Sequence, residues 1–339
     1  MEGATGIDVS MLKGKKLLNM DSEEEGVMLA SCAGGCRADV KLPVERETVS
    51  GTKLTVSLSG LTGGHSGSEI DKGRGNANAL MSRLLRDASA PVAIASIDGG
   101  RKDNAIPREC TAQIIVAPDK AAAVKAAIEQ AADEIAEEFK ASDPDLKLTL
   151  SEETDCSEPA ISAKDSARVI ALIEALPNGI IRMSREIDKL VETSLNLGVL
   201  KSDDAAVTLR YAVRSSVGVA KKSLKNQLVC IAGAFAAEVT FEGDYPAWEY
   251  KKDSKLREDM VRIFEEMYGK KPTVEAIHAG VECGLLSGKI EGLDCISMGP
   301  DMYDIHTTEE RLSISSAKRS YEYLSLIHIS EPTRLDVIS

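Results

Sequence analysis

Residues 61–67 read Leu-Thr-Gly-Gly-His-Ser-Gly, and residues 104–108 read Asn-Ala-Ile-Pro-Arg. His65 stands between glycines, so the main chain on either side of it can approach another part of the protein closely. Asn104 precedes an Ile-Pro pair, which biases the chain to an extended turn and presents the asparagine side chain. Both segments are therefore predicted to be turns, although from the residues alone His65 is as well explained by an ordinary turn histidine.

The chain around these turns, from Thr52 to about Glu242, has the pattern of an α+β domain. Leu54, Val56 and Leu58 alternate with polar residues, which predicts a half-buried strand. Apolar residues then recur at helical spacing from Asp119, the expected N-cap, to about Lys140. Strands followed by covering helices favour antiparallel sheets with helices on one face.

From Tyr245 onward the pattern changes to that of an α/β layer. Ser254 is predicted to cap a helix that ends at Gly269, and strands are predicted at 273–277 and 293–298. Residues 10–35 have a similar pattern. The simplest account is one α/β domain interrupted by an inserted lid.

The predicted boundaries follow from this change of pattern. They place 1–48 and 244–323 in the α/β domain, 49–243 in the lid and 324–339 in a non-native tail.

Composition excludes several classes of function. The 339 residues carry a net charge of −13, which argues against nucleic acid or an anionic membrane as partner because both require basic patches. There is no basic stretch followed by an apolar run at the start, and the seven scattered cysteines are typical of reduced thiols. We therefore expect a cytoplasmic protein.

Several polar residues stand where chemistry is commonly found. His306 follows a predicted buried strand, and the ends of parallel strands are where α/β folds place functional groups. Asp21 opens an acidic turn, and Arg214 lies on the polar face of a predicted strand. From the residues alone, each of the three is better explained as a solvated side chain. His278 and Glu282 would share one face if their segment were helical, but their spacing is not that of a His-Glu-x-x-His zinc motif.

Four motifs together carry a resemblance to a known family. They are Gly-Gly-His-Ser-Gly at 63–67, Arg-Gly-Asn-Ala-Asn at 74–78, Asn-Ala-Ile-Pro-Arg at 104–108 and His-Ala-Gly-Val-Glu-Cys-Gly at 278–284. In combination they resemble the aminoacyl-histidine dipeptidases of the M20 metallopeptidase family, over residues 1–323. The resemblance implies a two-domain α/β architecture with a lid that also dimerises. It further implies hydrolysis of small dipeptides, particularly Xaa-His dipeptides of the β-alanyl-histidine type.

The resemblance also implies roles for particular residues. His65 would donate a hydrogen bond to the oxyanion, Asn104 and Arg214 would anchor the substrate, and Gly280 and Glu282 would lie at the substrate pocket.

In such an enzyme two divalent metal ions, zinc by preference, are bound by the protein. Asp21 and His306 would be ligands, whereas the family's other ligands and its glutamate base have no counterpart in this sequence.

The two ends carry separate expectations. Residues 14–26 look like a buried strand that runs into an acidic turn, as if the front of the catalytic domain were missing. Residues 324–334, Leu-Ser-Leu-Ile-His-Ile-Ser-Glu-Pro-Thr-Arg, resemble one translated frame of a sequencing adapter. We therefore expect the polypeptide as written to be an inactive fragment. The alternative is a non-catalytic peptide-binding or dimerisation protein derived from the same family.

Overall fold

The computed structural model describes residues 2–305 and 308–330. The strands are β1 (Lys16–Asn19), β2 (Val27–Cys32), β3 (Gly34–Pro43), β4 (Arg46–Ser59), β5 (Gly64–His65), β6 (Ala93–Gly99), β7 (Ala105–Ile106), β8 (Cys110–Val116), β9 (Lys147–Ile161), β10 (Gly179–Met183), β11 (Val191–Ser202), β12 (Ala206–Ser215), β13 (Glu238–Tyr245), β14 (Thr273–Ile277), β15 (Asp294–Ser297), β16 (Met302–Tyr303) and β17 (Arg311–Leu312). The α-helices are α1 (Glu2–Gly6), α2 (Ala77–Arg86), α3 (Ala121–Phe139), α4 (Ala163–Ala175), α5 (Gly218–Ala234), α6 (Lys255–Tyr268), α7 (Glu282–Lys289) and α8 (Ile314–Ser330). Short 3-10 turns lie at Ile70–Lys72 and Pro118–Lys120.

A nine-stranded antiparallel sheet forms the larger part of the molecule. Its order is β13-β3-β12-β11-β6-β8-β4-β9, and β10 pairs with β11. Leu54, Val56 and Leu58 of β4 belong to the main core, to which α2, α3, α4 and α5 also contribute buried residues. The prediction of antiparallel strands with helices on one face is confirmed.

A four-stranded sheet, ordered β1-β15-β2-β14, forms the smaller part. β1 runs parallel to β15, and β14 runs parallel to β2. Helices α6 and α8 pack on it through a compact apolar cluster that includes Met28, Met260, Phe264, Ile296 and Tyr323. The molecule is thus a mixed α/β structure with an antiparallel insert, as the sequence predicted.

The large sheet reaches beyond residues 49–243, to which the sequence assigned the lid. β3 pairs with β12 from Gly34 to Pro43, and β13 pairs along the other edge of β3. Such pairing joins segments about 170 residues apart in the chain, and the local sequence pattern carries no signal for it.

Three local predictions were wrong. Asp119 is not an N-cap, because Pro118 starts a 3-10 turn that contains it and α3 begins only after Lys120. The strand near residue 17 is half-buried rather than buried, since β1 lies at an edge of the small sheet. His278 and Glu282 do not share a helix face, because α7 begins at Glu282.

The end of α8 contains residues that we assigned to the non-native tail. The helix continues through Leu324 to Ser330, and Ile327 is buried beside Tyr323. His306, Thr307 and residues 331–339 lie outside the described part of the chain. Within the described part, no helix is long and apolar enough to span a membrane.

Candidate active site

His65 is held in a short strand pair at the tip of the large sheet. β5 pairs with β7, which places His65 opposite Ala105. Gly63 and Gly64 precede the histidine with φ of 65° and 139°, a region that favours glycine. A β-carbon at residue 63 would also lie 2.9 Å from the Ile106 carbonyl oxygen. The two glycines are therefore needed to bring His65 into this position.

The hydrogen bonds of the His65 ring determine which nitrogen carries the proton. Nδ1 accepts from the main-chain N–H groups of Gly67 (3.3 Å) and Ser68 (3.2 Å). A ring nitrogen that accepts has no proton, so the neutral imidazole carries its hydrogen on Nε2. Burial lowers the pKa of His65, the positive charge of Arg214 lowers it further, and Glu69 opposes them. His65 is thus a neutral Nε2–H donor.

Two carboxylates that the sequence reasoning missed hold the His65 loop in place. Glu69 accepts from the His65 main-chain N–H at 2.8 Å and from Arg74 Nη1 at 2.8 Å. The buried Asp143 accepts from the main-chain N–H groups of Thr62 and Gly75, each at 2.8 Å. Glu69 could have been found from its place four residues after His65, but nothing near Asp143 in the sequence points to the loop.

Asn104 and Arg214, the two predicted substrate anchors, lie at one pocket. They line one pocket of about 310 Å³ together with Tyr245, and the Asn104 carbonyl accepts from the Ser66 N–H at 2.9 Å. Arg214 is buried, and Nη1 donates to Tyr245 Oη at 3.5 Å. Its Nε has no hydrogen-bond partner among the described residues. A guanidinium in this state can hold a ligand carboxylate through both donors.

Asp21 lies in a second cleft, at the end of the small sheet. This cleft of about 590 Å³ is lined by the exposed Asp21, by Glu23 and Glu24, and by Ile277 and Val281 from the opposite side. It is acidic, and it lies at the ends of strands rather than on their faces.

The chain between β14 and α7 carries the remaining predicted residues. Gly280 lies in this connection, and Glu282 is the half-buried first residue of α7, whose N-cap Val281 makes no side-chain cap bond. His278 is buried, and its Nε2 lies 2.7 Å from Ser194 Oγ of the large sheet. Burial, and after it the charge of Arg214, lowers the pKa of His278 to about 3, against the raising influence of the Val191 carbonyl.

The described residues do not form a complete metal site. Within 2–305 and 308–330, no three His, Cys, Asp or Glu side chains come together to hold a metal ion. Asp21 is in an acidic cleft of suitable chemistry, and His306, the second predicted ligand, lies outside the described residues. No chemical step is therefore derived through a metal.

Comparisons with known proteins agree with this arrangement of parts. Residues 56–143 match a family model described as a peptidase dimerisation domain. A cytosol non-specific dipeptidase from Escherichia coli (strain K12) is 34% identical over 329 residues, which are 96% of this chain and 68% of the relative. A crystal structure of aminoacylhistidine dipeptidase from Vibrio alginolyticus superposes with a TM-score of 0.90 at 31% identity. That match covers 97% of this chain and 68% of the other.

Proposed function

The chain belongs to the M20 peptidase family as a peptide hydrolase of dipeptidase type, and we propose that its substrates are small Xaa-His dipeptides such as β-alanyl-histidine. The name of the Vibrio alginolyticus relative supports histidine as the second residue. The Escherichia coli relative is called non-specific, which supports a wide range of first residues.

The observation that carries this proposal is the state of His65. Its Nδ1 is occupied by two main-chain donors, so Nε2–H is free to donate to a carbonyl oxygen that becomes negatively charged. A donor aimed at such an oxygen typically contributes about 3–4 kcal/mol to the stability of the transition state. The lowered pKa of His65 keeps the ring neutral near pH 7, so it donates a hydrogen bond without giving up a proton.

Arg214 and Asn104 would hold the other end of the dipeptide. We assign the terminal carboxylate to Arg214, because its planar guanidinium matches a carboxylate with two parallel hydrogen bonds. Asn104 would bind the peptide part, since its main chain is already joined to the His65 loop through Ser66. Gly280 and Glu282 would border the substrate from the side of the small sheet.

The metal-binding part of the proposal is separate. Asp21 and His306 are the proposed ligands of divalent, zinc-class ions. A catalytic zinc is usually held by three protein side chains, so these two residues leave a dinuclear site incomplete. We therefore expect the purified polypeptide, supplied with Zn²⁺, to hydrolyse no measurable β-alanyl-histidine. Turnover of millimolar dipeptide that a chelator abolishes would contradict this expectation.

Substrate binding tests the proposal without requiring turnover. Calorimetric titration would compare β-alanyl-histidine with its C-terminal carboxamide, which lacks the charge that Arg214 is assigned to bind. We expect the free acid to bind at least about tenfold more tightly, because hydrogen bonds to charged groups contribute roughly 1.5–3 kcal/mol. Arg214→Gln should remove this preference.

Arg210→Gln is the matched control, because Arg210 is on the same strand but is paired with Asp39 through two bonds of 2.8 Å. It should leave the preference intact. Equal binding of acid and carboxamide by the unmodified chain, or an equal effect of both substitutions, would exclude the assignment.

The assembly and location of the protein are part of the same proposal. The match of residues 56–143 to a dimerisation domain supports a homodimer formed through the large sheet and its helices. The name of the Escherichia coli relative supports a cytosolic location. Sedimentation equilibrium of the purified chain, with a monomer as the contrary result, tests the first of these.

A further inference from the structure

One buried hydrogen bond joins the two sheets beside the candidate site. His278 Nε2 lies 2.7 Å from Ser194 Oγ, and both side chains are buried. Ser194 belongs to β11 of the large sheet, whereas His278 directly follows β14 of the small sheet. The bond therefore links parts of the chain that are 84 residues apart.

The main chain at His278 also meets the His65 loop. A β-carbon at residue 67 would lie 2.7 Å from the His278 carbonyl oxygen, so only glycine permits this approach. One face of His278 is thus against β11 and its carbonyl is against the loop that carries His65. A helix cap does not explain this position, because α7 begins four residues later and its N-cap is Val281.

The surroundings of His278 require a neutral ring. Ser194 is the register partner of Arg214 on the neighbouring strand, which brings a permanent positive charge close to the imidazole. The Nδ1 atom of His278 is buried and has no hydrogen-bond partner in the described part of the chain. If packing were the only requirement, an apolar side chain would fill this position without a buried, unpaired polar atom. We therefore attribute the imidazole to the hydrogen bond between its Nε2 and Ser194.

We propose that His278 is a positioning residue, which holds the connection 278–281, and with it Gly280 and the start of α7 at Glu282, against β11 of the large sheet. The roles of Gly280 and Glu282 rest on the proposed function. The hydrogen bond itself does not, and it can be tested without substrate. In the ligand-free protein, His278 and Ser194 fix the distance between the two halves of the site.

Hydrogen–deuterium exchange of the whole chain tests this proposal. His278→Ala and Ser194→Ala should each raise amide exchange in 278–281 and 64–67 by about tenfold, because the lost bond no longer opposes local opening. His278→Gln can place an amide nitrogen or oxygen near the position of Nε2, so its exchange should stay close to that of the unmodified chain. In all variants the amides of Leu54 to Leu58 should be unaffected.

Ser57→Ala is the control for the loss of a serine hydroxyl, since Ser57 bonds to Thr111 within the large sheet at 3.1 Å. It should leave segments 278–281 and 64–67 unchanged. Unchanged exchange in His278→Ala, or an equal rise in His278→Gln, would overturn the proposal. A rise throughout the chain in His278→Ala would also overturn it, because His278 would then be a general core residue.

Loss of dipeptide binding with intact protection of both segments would count against the proposed function only. The two proposals can therefore fail independently of each other.

Discussion

The two sheets hold their candidate site residues in different ways. Arg214 lies on β12, which is paired along its length with β3 on one side and β11 on the other. Asp21 and Gly280 lie on connections that follow strands of four and five residues in the small sheet. A shift of one residue in β12 would move Arg214 to the opposite face, so strand register fixes this half of the site. The other half depends on individual side-chain contacts, of which His278–Ser194 is the clearest.

The largest expected effect compares the cores of the two sheets. Leu54 is fully buried in the large sheet, whereas Leu18 is half-buried at the edge of the small one. Leu54→Ala should lower the free energy of unfolding by about 2–5 kcal/mol, and Leu18→Ala by only about 1 kcal/mol, because the edge site can relax. Urea denaturation measures both.

Two spectroscopic signals follow unfolding in this experiment. Trp248, the single tryptophan of the chain, is buried beside Cys32 in the small sheet and reports on that part by fluorescence. Far-UV circular dichroism reports on the secondary structure of the whole chain, most of which belongs to the large sheet and its helices. Equal losses for the two substitutions would show that the cores are equivalent.

The next effect concerns pH and the contact between the sheets. The folded-state pKa of His278 is lowered from 6.5 to about 3, so its contribution to stability is complete above pH 6.5 and is lost as the pH falls toward 3. Compared with His278→Gln, the unmodified chain should lose about 2 kcal/mol of unfolding free energy between pH 7.5 and pH 5. Parallel pH dependence of the two proteins in urea titrations would contradict the buried neutral state. The pKa of His65 is also lowered, so His65 also reduces stability as the pH falls. It is present in both proteins, and its effect cancels in the comparison.

The smallest effect compares one helix cap from each part. Ser162 Oγ accepts from the Asp165 N–H at the start of α4, and Ser254 Oγ accepts from the Arg257 N–H at the start of α6. Ser254 also donates to the buried Asp294 at 2.6 Å. Ser162→Ala should lower the free energy of unfolding by about 1 kcal/mol. Ser254→Ala should lower it by about 2 kcal/mol, because the buried Asp294 carboxylate also loses a hydrogen-bond donor. Thermal unfolding of both variants checks the order, and a larger loss for Ser162→Ala would reverse it.

Local structure was largely predictable from the sequence. The strand at 273–277, the Ser254 cap and the end of the helix at Gly269 were predicted and are confirmed. Each depends on neighbours within a few residues. The prediction of Asp119 as an N-cap was wrong for an equally local reason, because Pro118 starts a 3-10 turn that contains Asp119.

The assembly of the site was only partly predictable. The motifs around His65, Asn104 and Arg214 predicted these three as site residues, and the structure places Asn104 and Arg214 at one pocket. The contact between His278 and Ser194 and the membership of β3 in the large sheet depend on pairing between distant segments. Sequence spacing carries no information about such pairing unless a turn connects the two segments. The roles of all the predicted site residues remain predictions: His65, Asn104, Arg214, Gly280, Glu282, Asp21 and His306.

Asp143 has a consequence for the thermodynamics of binding. Its one carboxylate accepts from the main chain at both ends of the loop 62–75, and it closes the loop at its base. The conformational entropy of that loop is therefore lost when the protein folds and does not have to be lost again when a ligand arrives. A ligand that contacts His65 would therefore meet a loop that is already ordered, and this part of the entropy cost of binding would not arise.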